Sequence, residues 1–244
     1  MLELPDRFDS SKTVDTLYAY WGRNYQQSFN NEERAYNALQ KWCQLTKDTH
    51  KEITIFEYYS DHFMLGNLFP PLFHRIYEDI NLYSKLGISQ MVNLIVPYIP
   101  KENVNERDFQ FPWQSIQLMN SYYFARLTWG DDFEEIEKDF YSIFNEHQIV
   151  AKNVLTKMES TLSGVSKWNV PLFPSRVIDP EKVKECEDLH RIIYDLHKWK
   201  NELEPFKVDF NSEMKDPYSM ITFYLHYVCE MLEIYLQEWK EKVE

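Results

Sequence analysis

The sequence predicts an α/β part followed by an all-α part: a partial (β/α) barrel-like parallel unit of about three strands, then a helical bundle, with helix dominating overall. Three observations predict it. Strand-like and amphipathic helical stretches alternate as β-α-β-α-β up to about residue 100, at roughly 30 to 40 residues per repeat. From about Pro112 onward the apolar residues recur at helical spacing throughout. The 244 residues are 44% hydrophobic and 16% aromatic, enough to bury a sizeable core in one large domain or two small ones.

The elements are taken in chain order. "TLYAYW" (Thr16 to Trp21) is short, aromatic and bounded by Asp15 and Gly22, as a strand should be. The stretch Asn31 to Lys47 is a helix with Tyr36, Leu39, Trp42, Cys43 and Leu45 as its apolar stripe. Asn30 or Asn31 is its expected cap, and Glu32 and Glu33 suit the positive end of its dipole. "ITIFEYY" (Ile53 to Tyr59) is the second strand. Leu68 to Gly87 is a helix with Pro70 and Pro71 in its first turn, Leu72, Phe73, Ile76, Ile80 and Tyr83 on one side, and Gly87 beyond its end. Ile88 to Pro100 is the third strand, stopped by Pro97 and Pro100. Connections of this length between strands imply parallel neighbours joined by right-handed crossovers.

The helical part comprises Pro112 to Gly130, Asp131 to Asn145, roughly His147 to Leu162, roughly Pro180 to Leu203 and about Tyr218 to Val243. A loop with three prolines, Gly164 to Pro180, and a polar connector, Lys207 to Asp216, separate the last three. The acidic run Asp131 to Glu137 is a helix start, since it lacks the alternating ligands and mid-loop glycine of a calcium loop. The expected division is 1–108 for the barrel-like segment and 109–244 for the helical domain.

Composition excludes several classes. A net charge of −13 disfavours nucleic acid, because phosphate repels an acidic surface. No run approaches the roughly 20 apolar residues of a membrane span. The start "MLELPDRFDSSK" has neither the cationic nor the apolar region of a signal peptide, so the expected location is cytoplasmic. Cys43, Cys186 and Cys229 are widely spaced and odd in number, which reads as reduced core thiols. His190 and His197 lie seven apart with Glu187, Asp188 and Asp195 nearby, and a solvated helix face accounts for them. No metal or cofactor is expected, and there is no Gly-rich phosphate loop, GxSxG elbow or HExxH.

Functional groups on parallel sheets gather beyond the carboxyl ends of the strands. All three strands end in polar or aromatic residues. The first leads into Trp21, Arg23, Asn24 and Tyr25; the second ends in Glu57, Tyr59, Asp61 and His62; the third carries Asn93 and Tyr98. Glu57 and Asp61, four apart at a strand's exit, are the candidate catalytic carboxylates, a pair suited to general acid/base work. Arg23, Trp21, Tyr59, His62, Asn93 and Tyr98 are the candidate substrate-binding residues. Arg23 offers a two-pronged donor for a carboxylate or hydroxyl pair, and the rings offer faces for sugar C–H groups. The structural alternative binds Glu57 to Arg23 across neighbouring strands and uses Asp61 to cap a turn.

In "LYAYWGRNY", "ERAYNALQKWCQ", "ITIFEYYSD", "IYEDINLYSKLGISQMVNLIVPY" and "MNSYYFARLTWGDDFEEIEKDFYSIF", over roughly residues 15 to 145, the chain resembles the C-terminal part of a large bacterial family of unknown function. Its members are barrel proteins akin to glycoside hydrolases, similar in layout to α-glucuronidases and hexosaminidases, with a trailing helical domain. The resemblance implies a carbohydrate-active protein that binds or helps cleave glycans, with the first barrel strands and the main acid/base carboxylates lying upstream. A glycoside-hydrolase-like enzyme is then expected of the longer parent, and this portion is not catalytically complete alone. The partners implied are a carbohydrate and either the missing barrel half or a second copy of the chain. The alternative is a non-catalytic helical interaction or scaffold module that dimerises through its amphipathic last helix.

Overall fold

A computed structural model describes residues 4, 15–25, 27–61, 65, 69–96, 114–165, 189–206 and 217–243. Three parallel strands, β1 (Thr16–Ala19), β2 (Ile53–Asp61) and β3 (Gln90–Val96), form a sheet in the order β1-β2-β3. Helix α1 (Glu33–Asp48) connects the first pair and α2 (Phe73–Lys85) the second. Helices α3 (Gln114–Thr128), α4 (Phe133–Ser142), α5 (Gln148–Val165), α6 (Leu189–Leu203) and α7 (Pro217–Val243) complete the chain. The α/β unit followed by helices is the architecture that the alternating and then helical periodicities predict.

The register is set by pairs such as Tyr18↔Ile55 and Ile55↔Met91. Alternate side chains of a strand point to opposite faces. On one face Tyr18, Ile53 and Ile55 pack with Ala35, Leu39, Trp42 and Cys43 of α1 and with Tyr83 of α2. Further along the same parity, Tyr59 joins Phe73 and Ile76 of α2 in the larger core. Both crossover helices therefore cover one face. The other parity carries Leu17, 58% exposed, half-buried Phe56, and Val92, 43% exposed. Among the described residues both crossover helices lie on one side of the sheet, unlike those of a doubly wound sheet.

The larger core runs from Tyr25 and Tyr59 through α2 and α3 to Leu155, Met158, Leu196, Leu225 and Leu232. Each such apolar side chain contributes about 1.5 to 3 kcal/mol on burial. Cys43 and Cys229 are buried and free, as the sequence implies for core thiols; Cys186 lies outside the described residues. The apolar stripe of α7, with Ile221, Leu225, Val228 and Leu232, is buried within the chain.

Three local expectations need correction. Asn30 and Asn31 do not cap α1: they form a 3-10 turn, and Glu32 is the capping residue without a side-chain cap bond. Glu32 does not simply complement a dipole, because its carboxylate is taken by Arg23. Pro70 and Pro71 precede α2 rather than opening it. There Asn120 of α3 accepts from the Leu72 N–H (2.9 Å) and donates to the Pro70 carbonyl (3.3 Å), so a neighbouring helix holds that segment out of helical form. Gly87 does close α2, with φ 82°, a conformation that glycine adopts without a Cβ clash. Among the described residues no helix is long and apolar enough to cross a membrane.

Candidate functional site

The connection from β1 to α1 carries Arg23 into the space between β2 and α2. Arg23 is 1% exposed. Its Nη1 donates to Glu32 Oε1 (2.5 Å) and to the carbonyls of Asn24 (2.9 Å) and Gln27 (3.2 Å). Its Nη2 donates to both oxygens of Asp79 at 2.7 Å. The guanidinium lies 5.1 Å from the ring centre of Tyr25 and 4.9 Å from that of Phe29. Such a dense set of charge-assisted bonds offsets the desolvation of a buried cation.

Glu57 is the carboxylate that Arg23 does not bond. Its Oε2 accepts from the Tyr25 phenol at 2.6 Å and its Oε1 from the Tyr83 phenol. The alternative of a direct Arg23–Glu57 bond is thus corrected: Glu32 and Asp79 take the two Nη groups. Glu57 is 3% exposed, and burial pushes its carboxyl up to about 7, against the pull of Arg23 and with a push from Asp79. Burial also raises Asp79, opposed by Arg23 and Arg75. The Tyr59 phenol donates to Asp79 Oδ2 at 3.1 Å. Burial holds Tyr25, Tyr59 and Tyr83 well above the usual phenol range, so all three remain neutral donors.

The end of β2 is tied down differently. A register shift between Glu57 and Ser60 puts an extra residue in β2, a bulge that re-aims the side chains beyond it. Half-buried Trp21 donates Nε1 to Asp61 Oδ2 at 3.4 Å, and Asp61 is 1% exposed. Asn93 donates to Ser60 Oγ at 3.0 Å. Gln117 of α3 donates to the carbonyls of Ser60 (2.9 Å) and Val96 (3.0 Å), and Asn120 to that of Tyr59 (2.9 Å). Helix α3 therefore closes the carboxyl ends of β2 and β3.

Of the sequence-predicted residues, Arg23, Glu57 and Tyr59 share one buried network; Trp21 pairs with Asp61; Asn93 braces Ser60. His62 and Tyr98 lie outside the described residues. Sequence reasoning missed Asp79, Tyr83 and the pairing role of Glu32. The signal for Asp79 was present: a carboxylate three residues after Ile76 and four before Tyr83 sits on the apolar side of its own helix. Nearby, a cavity of about 360 Å³ is lined by Tyr25, Arg75, Glu78, Lys157 and Glu159, among others. His197 pairs with Glu233 at 2.7 Å, and among the described residues no cluster of three or more His, Cys, Asp or Glu is placed to hold a metal. Comparison with models of known protein families, with curated proteins and with solved structures yields no match.

Proposed function

We propose that the chain is the C-terminal portion of a glycoside-hydrolase-like barrel protein and contributes glycan binding rather than proton transfer. The observation that carries this reading is Trp21, a half-buried indole held by Asp61 where β1 and β2 end. Half-buried Phe56 and Tyr58 meet edge-on along β2, their centroids 5.2 Å apart. Partly exposed rings at strand ends suit a sugar, which offers apolar C–H faces, with buried Asp61 holding the indole in place. The winding of both crossover helices on one side supports a barrel arc, and the partly exposed other face, with Leu17, Phe56 and Val92, suits an inward-facing surface completed by further βα units. Glu57 fits binding less well, since both its oxygens serve phenols inside the core. A general acid needs its substrate within hydrogen-bond reach.

Calorimetric titration with neutral and uronic-acid oligosaccharides tests it. Binding by this chain is expected to weaken at least about tenfold in Trp21→Ala, roughly 1.4 kcal/mol. Hydrolysis is expected only from a longer parent that carries the remaining barrel units. Absence of binding by both chain and parent overturns the reading. The alternative, a dimerising helical scaffold, is less well supported because α7 spends its described apolar stripe inside the chain. A tight dimer by light scattering, with no glycan bound, would favour it.

A further inference from the structure

The connection between β1 and α1, residues 20–25 and 27–32, is anchored largely by side chains. Backbone bonds within it are local: Gln27 N–H to Asn24, Asn31 N–H to Ser28 and Glu32 N–H to Phe29. Its ties to β2 and α2 run through the buried network. Arg23 reaches Asp79. The Tyr25 phenol donates to Glu57 and accepts from the Tyr58 N–H at 3.0 Å. Arg75 Nε donates to the Tyr25 carbonyl at 3.1 Å. Phe29 packs edge-on against Tyr83.

We propose that this connection is a proton-operated latch: a proton on Glu57 keeps it clamped to β2 and α2, and loss of that proton as pH rises loosens it. The geometry sets one guanidinium against three carboxylates, Glu32, Glu57 and Asp79, in a space closed to water. The groups facing Glu57 and Asp79 are Tyr18 from β1, Arg23 and Tyr25 from the connection, with Glu32 bound to Arg23, Tyr58 and Tyr59 from β2, and Arg75 and Tyr83 from α2. Only Arg23 and Arg75 among these are cationic, and Arg75 Nη1 is engaged with Glu78 at 2.5 Å. With all three carboxylates ionised, Glu57 keeps a charge that its phenol donors and the more distant Arg23, already bonded to Glu32 and Asp79, only partly answer. Burial of an unanswered charge is relieved by protonation or by admitting water. Burial raises both carboxyls, Glu57 to about 7, so the closed latch holds the Glu57 proton and gives it up as pH rises through that value. The strand β2 and helix α2 are fixed by ladder and helical bonds, so the connection is the part that yields.

The latch does not rest on the glycan reading and is tested without any sugar. Amide hydrogen exchange of the full chain is followed by mass spectrometry from about pH 5.5 to 8.5, corrected for intrinsic exchange and referenced to peptides of α5. Protection in residues 20–32 is expected to fall roughly tenfold relative to α5 as pH rises. Glu57→Gln keeps the side-chain shape and one acceptor for the phenols without a titrating charge, and is expected to flatten that dependence. Flat protection in the wild type, or the same slope in Glu57→Gln, overturns the proposal. Should that variant fail to fold, carbon-13 NMR of the wild-type Glu carboxyls decides: a Glu57 titration near 7 supports the latch, and one near 4.5 ends it.

Discussion

Arg23 ties together segments far apart in the chain, because a planar fork of donors reaches Glu32 and Asp79 at once. Arg23→Ala leaves two buried carboxylates without their cation and is expected to cost about 3 to 5 kcal/mol in urea denaturation. Arg23→Lys is expected to recover only part of that, since an ammonium cannot match the forked geometry. Glu57 adds a pH dependence whose sign comes from its environment. Its carboxyl titrates at about 7 in the folded protein against 4.5 as the ordinary value. Below about 4.5 both folded and unfolded states hold the proton, and this stability is fully present. Between those values the unfolded state releases its proton first, so stability is lost as pH rises through about 7, by roughly 3 kcal/mol for this group alone. Thermal midpoints measured across that window should fall more steeply for the wild type than for Glu57→Gln.

The helices differ in how much of their stability is local. Helix α4 is capped by its own sequence: Asp132 Oδ1 accepts from the Glu134 N–H at 2.8 Å, and Asp132→Ala should cost about 1 kcal/mol in chemical denaturation. Helix α2 is capped from elsewhere. Glu159 of α5 accepts from the backbone N–H of His74 at 3.0 Å and of Arg75 at 3.3 Å, with the His74 ring at 2.8 Å. That carboxylate raises the His74 pKa, so the tie strengthens as pH falls and is lost as pH rises through the raised value. Glu159→Ala is expected to lower stability by about 1 kcal/mol and to loosen the α2–α5 contact, read as faster exchange of the first α2 amides. The contrast explains what the sequence made legible. Periods of two and 3.6 residues located the strands and helices, and Asp131–Asp132 announced α4, because those signals are carried by adjacent residues. The cap on α2 and the Asn120 bracket before it depend on residues 48 to 85 positions away, which no local pattern encodes. For the same reason Arg23 and Glu57 were singled out as strand-end residues, but the Asp79 and Tyr83 that complete their network were not.

For the whole molecule the deciding quantity is how many cores the chain has. The expected division falls at residues 108/109, but the larger core joins Tyr59, Phe73 and Ile76 on one side to Ile116, Leu155 and Leu225 on the other. Tyr224 of α7 donates to the Phe69 carbonyl at 2.9 Å, a buried bond between residues 155 positions apart. Cutting the chain at residue 108 would expose several side chains worth about 1.5 to 3 kcal/mol each, against a net stability on the order of 5 to 15 kcal/mol. Residues 1–108 alone are therefore expected not to fold, and the full chain is expected to melt in one transition with equal calorimetric and van't Hoff enthalpies. A core truncation in the helical part makes the coupling measurable. Met158→Ala, in α5 and buried, should cost about 2 to 5 kcal/mol. If the core is shared, the amides of β2 lose protection by the same factor as those of α5. Unchanged β2 protection in that variant would instead mean that the sheet and the bundle unfold independently, each on a core of its own.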